Sequence, residues 1–392
     1  MTVSRALVVG GGEPADAAAT ALAQRGVEVD VAERREAFAI PGVGLGQPAN
    51  ALRALRSLGV LDEIAAAGFP FSRLRVYGPD GELVVDHRFR LGGDVPPFIA
   101  LPRTDLHRIL FDAATAAGVK VRMATEPRQL RQNGGVAVGF EGGGEESFDL
   151  LAGFDGYRSW TRQTILGPGQ DPRFSGYAAW RLIVPRPSEV TCMRFHQGIG
   201  HKTGVMPLNE NSMYLFHIRP EDPGLRVSPA QAVDGLRERL ADYGGFVAEL
   251  REALRDDDTV VYSPLEPLFV PAPWHRGRVA IGGDAAHTYP PHMTQGAAMA
   301  LEDAVVLAQQ ATAEGTGTVE ERLGGYAERR LARCRYVEEF AGRMLRDEQK
   351  ISSLRDFEHA KASAYDDLDG RLTGSDRVMD EDVLDLGAGV AA

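Results

Sequence analysis

The sequence predicts an α/β fold: a doubly wound, mainly parallel sheet with a second, mixed β-sheet layer inserted into it and a long helix near the C-terminus. Three observations predict it. Leu7–Val9, Gly10–Gly12, Ala15–Arg25 and Val27–Ala32 read in order as strand, tight turn, helix and strand, the opening unit of a helix-covered parallel sheet. From about Gly176 to Pro271, strand-like pieces crowd together ahead of a pair of helices. Glu320–Glu348 then keeps one helical pattern with many arginines on one side.

Each element has a local reason. Gly26 stops the first helix, and Val27–Ala32 alternates as a strand does. Pro48–Leu58 reads as the next helix. Arg73–Arg90 alternates around Pro79-Asp80-Gly81, a hairpin turn signal. Thr104–Ala117 is amphipathic, with Leu106 and Leu110 one turn apart. Val119–Met123 and Gly135–Phe140 read as strands. In the inserted layer the strand-like pieces are Ala178–Val184, Val190–Gln197, Thr203–Pro207 and Met213–Ile218, and the helices are Pro229–Asp242 and Phe246–Leu254. Arg278–Gly282 is a buried strand and Met299–Gln310 a buried helix. Residues 1–175 and 272–350 are thus expected to form one discontinuous domain and 176–271 a second layer. Residues 351–392 form a polar C-terminal segment whose end is expected to fray.

The composition is that of an ordinary globular protein. Of 392 residues, 44% are hydrophobic and 25% charged, enough to bury a sizeable core without staples. Lysine and arginine number 43 against 55 acidic residues, a net charge of −12, which disfavours a general binder of nucleic acid or anionic membrane. No stretch approaches the roughly 18 apolar residues of a membrane span, and the mean hydropathy is −0.20. Two cysteines, Cys192 and Cys334, disfavour a disulfide framework or a thiolate zinc site, and they fit a reducing cytoplasm. No His/Asp/Glu set has metal-ligand spacing, so no metal is expected. Monomer and homodimer both stay open.

Three motifs carry chemistry. In the first, Gly10, Gly12 and Ala15 fill the places of a dinucleotide-binding turn: one glycine for the turn, one for close backbone approach to a pyrophosphate, one small residue for helix–strand packing. Glu33, followed by Arg34, ends the second strand, where a carboxylate accepts from ribose hydroxyls. Glu13 and Asp16 put carboxylates beside this anion site, and Pro14 removes an N–H donor. The second motif is Asp155-Gly156 at the end of a buried strand, with Arg158 and Arg162 following; alone it reads better as a structural Asp-Gly turn with a surface arginine. The third runs Gly282-Gly283-Asp284-Ala285-Ala286-His287, then Pro290-Pro291, Gln295-Gly296-Ala297 and Glu302-Asp303-Ala304. It places an aspartate that can accept from a polyol at a strand end, and a glycine at a helix N-terminus that favours developing negative charge.

In order and spacing, these motifs resemble those of the class A FAD-dependent aromatic hydroxylases, the flavoprotein monooxygenases similar to para-hydroxybenzoate hydroxylase, over about residues 3–345. The Pro291–Ala300 run is closer still to the branch of 6-hydroxynicotinate 3-monooxygenase. The resemblance implies a Rossmann-like FAD-binding domain of the GR2 type. It implies FAD as cofactor, NADH or NADPH and O2 as co-substrates, and a small aromatic or N-heteroaromatic substrate hydroxylated through a flavin C4a-hydroperoxide. By the resemblance, Arg103 reaches the flavin, Gly44 and Leu45 lie beneath the ribityl chain and isoalloxazine, and Pro291, Gly296 and Ala297 face the flavin. A surface arginine ahead of a helix is the alternative reading of Arg103.

The pocket residues are less defined. The branch histidine expected after Gly44 is replaced by Leu45-Gly46-Gln47. His292 is the first candidate for a base, since histidine titrates near working pH; a structurally packed histidine is the alternative. His201 comes second, and Tyr214 reads as a pocket wall or a core tyrosine. Arg329, Arg330, Arg333 and Arg335 form either a basic stripe for NAD(P)H phosphates or, more commonly, a solvated helix face. Two other readings keep the fold: decarboxylative hydroxylation or epoxidation, and a degenerate flavin-binding protein without catalysis.

Overall fold

Short apolar strands fed by glycine turns build the central sheet. The computed structural model describes residues 3–38, 42–89, 93–351, 353, 376, 378–380 and 384. In it the sheet has six strands, in the order His275–Arg276, Val279–Ile281, Leu150–Gly153, Arg5–Val9, Glu28–Ala32 and Lys120–Arg122. All neighbours run parallel except the antiparallel edge strand His275–Arg276. Leu150–Gly153 and Val279–Ile281 are buried throughout, which is why they read as continuous apolar runs rather than alternating ones. The helix Glu13–Ala23 packs against Gly296–Ala311 and Arg103–Ala116, and its alanines at 15, 17, 18, 19 and 21 are all buried.

The second sheet has seven strands, ordered Val261–Pro264, Tyr177–Pro185, Ser212–Pro220, Lys202–Pro207, Met193–Gln197, Arg73–Tyr77 and Leu83–Arg88. Two of them precede the inserted stretch: Arg73–Tyr77 pairs in parallel with Met193–Gln197 and carries Leu83–Arg88 as the sheet edge. Alternation sorts its side chains onto two faces. Trp180, Leu182, Val205, Met213 and Leu215 pack with Leu236, Leu240, Val247 and Leu250 of the two covering helices. Ile183, Phe195, Met206, Tyr214 and Phe216 face the other way and join the main core.

The two layers meet at the strand Gly44–Pro48, which pairs with Phe98–Pro102. A Cβ on Gly44 would lie 2.5 Å from Tyr214 Cβ, and one on Gly46 would lie 3.1 Å from both Met206 Sδ and Thr294. Glycine is what allows this backbone to lie against the second sheet.

The helix Val319–Lys350 opens on a capping box between Thr318 and Glu321. Its arginines correct both sequence readings of them. Arg330 and Arg333 are buried and ion-paired with Glu302 and Asp303. Arg329 donates to Gln309 Oε1, and Arg335 lies over the Phe269 ring. Further on, Val378, Met379 and Leu384 are buried. The other residues of the 351–392 segment, apart from 351, 353, 376 and 380, lie outside the described residues, as does Pro41. Among the described residues no helix is long and apolar enough to cross a membrane.

Candidate active site

The Gly-rich turn is built for close backbone approach. Gly10 has φ +115°, and a Cβ there would sit 2.4 Å from the Phe154 carbonyl oxygen. Gly11, which the sequence pattern leaves unassigned, packs its Cα on the Glu33 side chain, and an added Cβ would be 2.8 Å from it. Gly12 is the N-cap of Glu13–Ala23 and Ala15 is wholly buried behind it. Glu33 sits at the strand end, where its Oε1 accepts the Arg35 amide at 2.8 Å; Arg34 is exposed.

Glu13 is the surprise of this loop. It is buried and accepts a two-pronged bond from Arg103, at 2.5 Å from Nε and 3.0 Å from Nη2. Burial works to raise its pKa, but the guanidinium outweighs burial and holds the carboxylate below its ordinary range. Arg103 keeps 37% of its side chain exposed and lies within electrostatic reach of Asp284 and Tyr214. Asp284 is likewise solvent-accessible, yet desolvation by surrounding protein pushes its carboxyl up.

Pro291 is exposed and Gly296 half-buried. Pro291–Met293 is a single 3-10 turn, Thr294 turns the chain with φ +56°, and Gly296 opens the sixteen-residue helix Gly296–Ala311. Nothing lies within 4 Å of a Cβ built on Gly296, so the helix N-terminus faces open space. Ala297 is half-buried beside it, and Leu45 is half-buried on the strand opposite. Asp155 is committed internally: it accepts from Ser159 Oγ at 2.5 Å and from the Thr161 amide at 2.8 Å, closing the turn into Trp160–Leu166.

Of the three base or pocket candidates, Tyr214 is the one packed against the strand Gly44–Pro48. It packs on Gly44, its ring lies tilted 5.2 Å from that of Phe216, and its hydroxyl meets the Arg181 guanidinium. His292 turns away into a buried ion cluster, with Nε2 3.2 Å from Glu348 Oε2, which also takes Lys202 Nζ at 2.7 Å. Burial and Lys202 push the His292 pKa down. His201 bonds Tyr243 Oη through Nδ1 at 2.8 Å, and burial lowers its pKa as well.

With this geometry in hand, the chain can be set beside known proteins. The family model described as FAD binding domain matches residues 4–341. The chain belongs to this family of FAD-dependent monooxygenases. It is 31% identical over 332 residues to 3-hydroxybenzoate 6-hydroxylase of Klebsiella oxytoca, covering 78% of this chain and 79% of that protein. It is 28% identical over 327 residues to 6-hydroxynicotinate 3-monooxygenase of Bordetella bronchiseptica, covering 77% and 81%, so the branch suggested by the Pro291–Ala300 run is among its relatives. The crystal structure of Klebsiella pneumoniae HpxO with FAD and uric acid shares the fold, with a TM-score of 0.85 at 23% identity over 96% of this chain and 97% of that one.

For an FAD-dependent monooxygenase, the residues present fit the cofactor. A Cβ on Gly10 would strike the Phe154 carbonyl and one on Gly11 the Glu33 side chain, so the turn stays bare backbone; Glu33 follows the second strand, Asp284 is exposed, and the Gly296 helix N-terminus meets open space. Beneath the helix Gly296–Ala311 lies a network that motif reading alone does not reveal. Asn50 Nδ2 donates to Gln295 Oε1 at 3.0 Å and to Glu302 Oε1 at 2.8 Å. Arg330 bonds Glu302 and Asp303 at 2.5 and 2.6 Å, and Asp303 takes the Gly283 amide at 2.9 Å and His287 Nε2 at 2.6 Å. Buried charges here are paired and hydrogen-bonded, as burial demands. His287, Asp303 and Cys334 offer ligand atoms within 4.8 Å of one another, but the Arg330 guanidinium already bonds both Asp303 and Cys334, so a cation occupies that position.

Proposed function

We infer that this monooxygenase hydroxylates a small aromatic or N-heteroaromatic ring carrying an ionisable hydroxyl, with NADH or NADPH as reductant. The observation that carries this reading is the composition of the sheet face that lies against Gly44–Pro48. Phe195, Phe216 and Met206 present an apolar and aromatic face, and the Tyr214–Arg181 pair is the polar group set into it. A flat ring fits the first, and an oxygen on that ring fits the second.

Bound FAD, reduced by NAD(P)H, supplies the oxygen activation. The chain's own residues orient the ring and set its charge. The Tyr214 hydroxyl hydrogen-bonds the ring oxygen, and Arg181 favours that oxygen in its ionised, electron-releasing form. Arg181 is held by Ser263 Oγ and by its place on the strand Tyr177–Pro185. Trp180 points to the opposite face, where it bonds Glu221 at 3.0 Å. The apolar wall excludes water that would divert the reaction. His292 serves this reading as a rigid support for the turn before Gly296.

The test is NAD(P)H consumption by FAD-loaded protein across hydroxypyridine carboxylates, hydroxybenzoates and simple phenols. One ring class should stimulate consumption with little peroxide. With that ring, Tyr214→Phe should lower kcat/KM about tenfold, the value of one hydrogen bond to a charged oxygen. Wild-type kinetics from Tyr214→Phe would remove Tyr214 from the site.

A further inference from the structure

The dinucleotide loop carries an electrostatic contradiction. A pyrophosphate brings negative charge to the N-terminus of Glu13–Ala23, and that first turn already holds two carboxylates. Glu13 is neutralised by Arg103. Asp16 is not neutralised in the same way: it is fully buried, and neither of its oxygens has a hydrogen-bond partner.

We propose that FAD binding is coupled to a proton on Asp16: the cofactor is accepted with Asp16 as the neutral acid and is rejected by the carboxylate. Geometry puts Asp16 directly behind the loop. His107 Nε2 touches both Gly11 O, at 3.1 Å, and Asp16 Oδ2, at 3.3 Å. Glu33, whose side chain packs on Gly11, faces Asp16 from the second strand, and Glu13 faces it from its own helix. His107, on Arg103–Ala116, is the nearest group of opposite polarity, and its Nε2–H is already directed at Gly11 O. The other packed elements bring no compensating charge. On Gly296–Ala311, Glu302 and Asp303 are taken by Arg330, Arg333 and His287. On the strand Arg5–Val9, Arg5 is paired with Asp30 and Glu146.

Burial first, then Glu13 and Glu33, raise the Asp16 pKa to about 8. The sign follows from linkage. Below about pH 8 the apoprotein already carries the proton, so affinity is flat and binding takes up none. Above it, the proton must be supplied on binding, and affinity falls by up to about tenfold per pH unit.

The experiment uses full-length apoprotein and FAD. Dissociation constants are read from flavin fluorescence between about pH 6.5 and 9, and proton uptake from calorimetry in two buffers of different ionisation heat. The wild type should take up almost no proton at the low end and close to one at the high end. Asp16→Asn, similar in size and uncharged, should bind with a flat pH profile and no uptake. A wild type that binds FAD at high pH without proton uptake overturns the proposal, as does an Asp16→Asn protein that keeps the wild-type slope. If Asp16→Asn does not fold, the wild-type proton count decides alone. Ring hydroxylation does not enter either readout.

Discussion

Arg330→Met is expected to leave little folded, flavin-loaded protein. Arg330 has no solvent exposure, and three of its donors end on Glu302, Asp303 and the Met299 carbonyl. Methionine fills the volume and none of those bonds. Two buried carboxylates then lose a partner, and breaking a buried ion pair on one side costs about 3–5 kcal/mol. Against a total stability of about 5–15 kcal/mol, that is a large share. The damage also reaches the proposed site: Asp303 holds the Gly283 amide beside Asp284, and Glu302 holds Asn50, which holds Gln295 at the start of the helix Gly296–Ala311. The melting temperature should fall by about 5 °C, and the flavin-to-protein ratio should fall with it. Arg330→Lys keeps the charge but not the fork, so it should lie between the two. A melting temperature within a degree or two of wild type for Arg330→Met would show the network to be dispensable.

The second large effect is local. Gly10→Ala should cost most of the FAD affinity, about a hundredfold, because its φ of +115° and the 2.4 Å approach to Phe154 O are both incompatible with a Cβ. The clashing atom is backbone, so no side chain can swing aside. Gly26→Ala is the matched control. Its φ is also positive, at +81°, but nothing lies within 4 Å, so it should lose some stability and leave FAD affinity unchanged. Equal FAD binding by wild type and Gly10→Ala would mean that the turn does not approach the cofactor.

Much of this architecture is legible in the chain. Gly10–Gly12 followed by small residues and then alternating Val27–Ala32 can be little else than a strand–turn–helix–strand unit. The split faces of Trp180–Arg181 and Tyr214–His217 follow from period two alone. What the sequence hides is pairing at a distance. Arg73–Tyr77 looks like an isolated hairpin strand until Met193–Gln197 is laid beside it. The arginines of the long helix resemble a solvated face because charge at helical spacing commonly is one. Only the placement of Glu302 and Asp303, on a different helix, turns Arg330 and Arg333 inward. Glu13 and Asp16 are visibly out of place beside an anion site, yet nothing local says that Arg103, ninety residues on, neutralises the first and that nothing comparable serves the second.

The central claim, oxygen transfer to an aromatic ring held against Tyr214 and Arg181, is tested most directly by product mass under isotopically heavy dioxygen. FAD-loaded protein, NAD(P)H and the ring that stimulates consumption should yield a product with one heavy oxygen and an intact carbon skeleton. A product that carries no heavy oxygen, or peroxide as the only fate of the dioxygen for every ring tried, would contradict it.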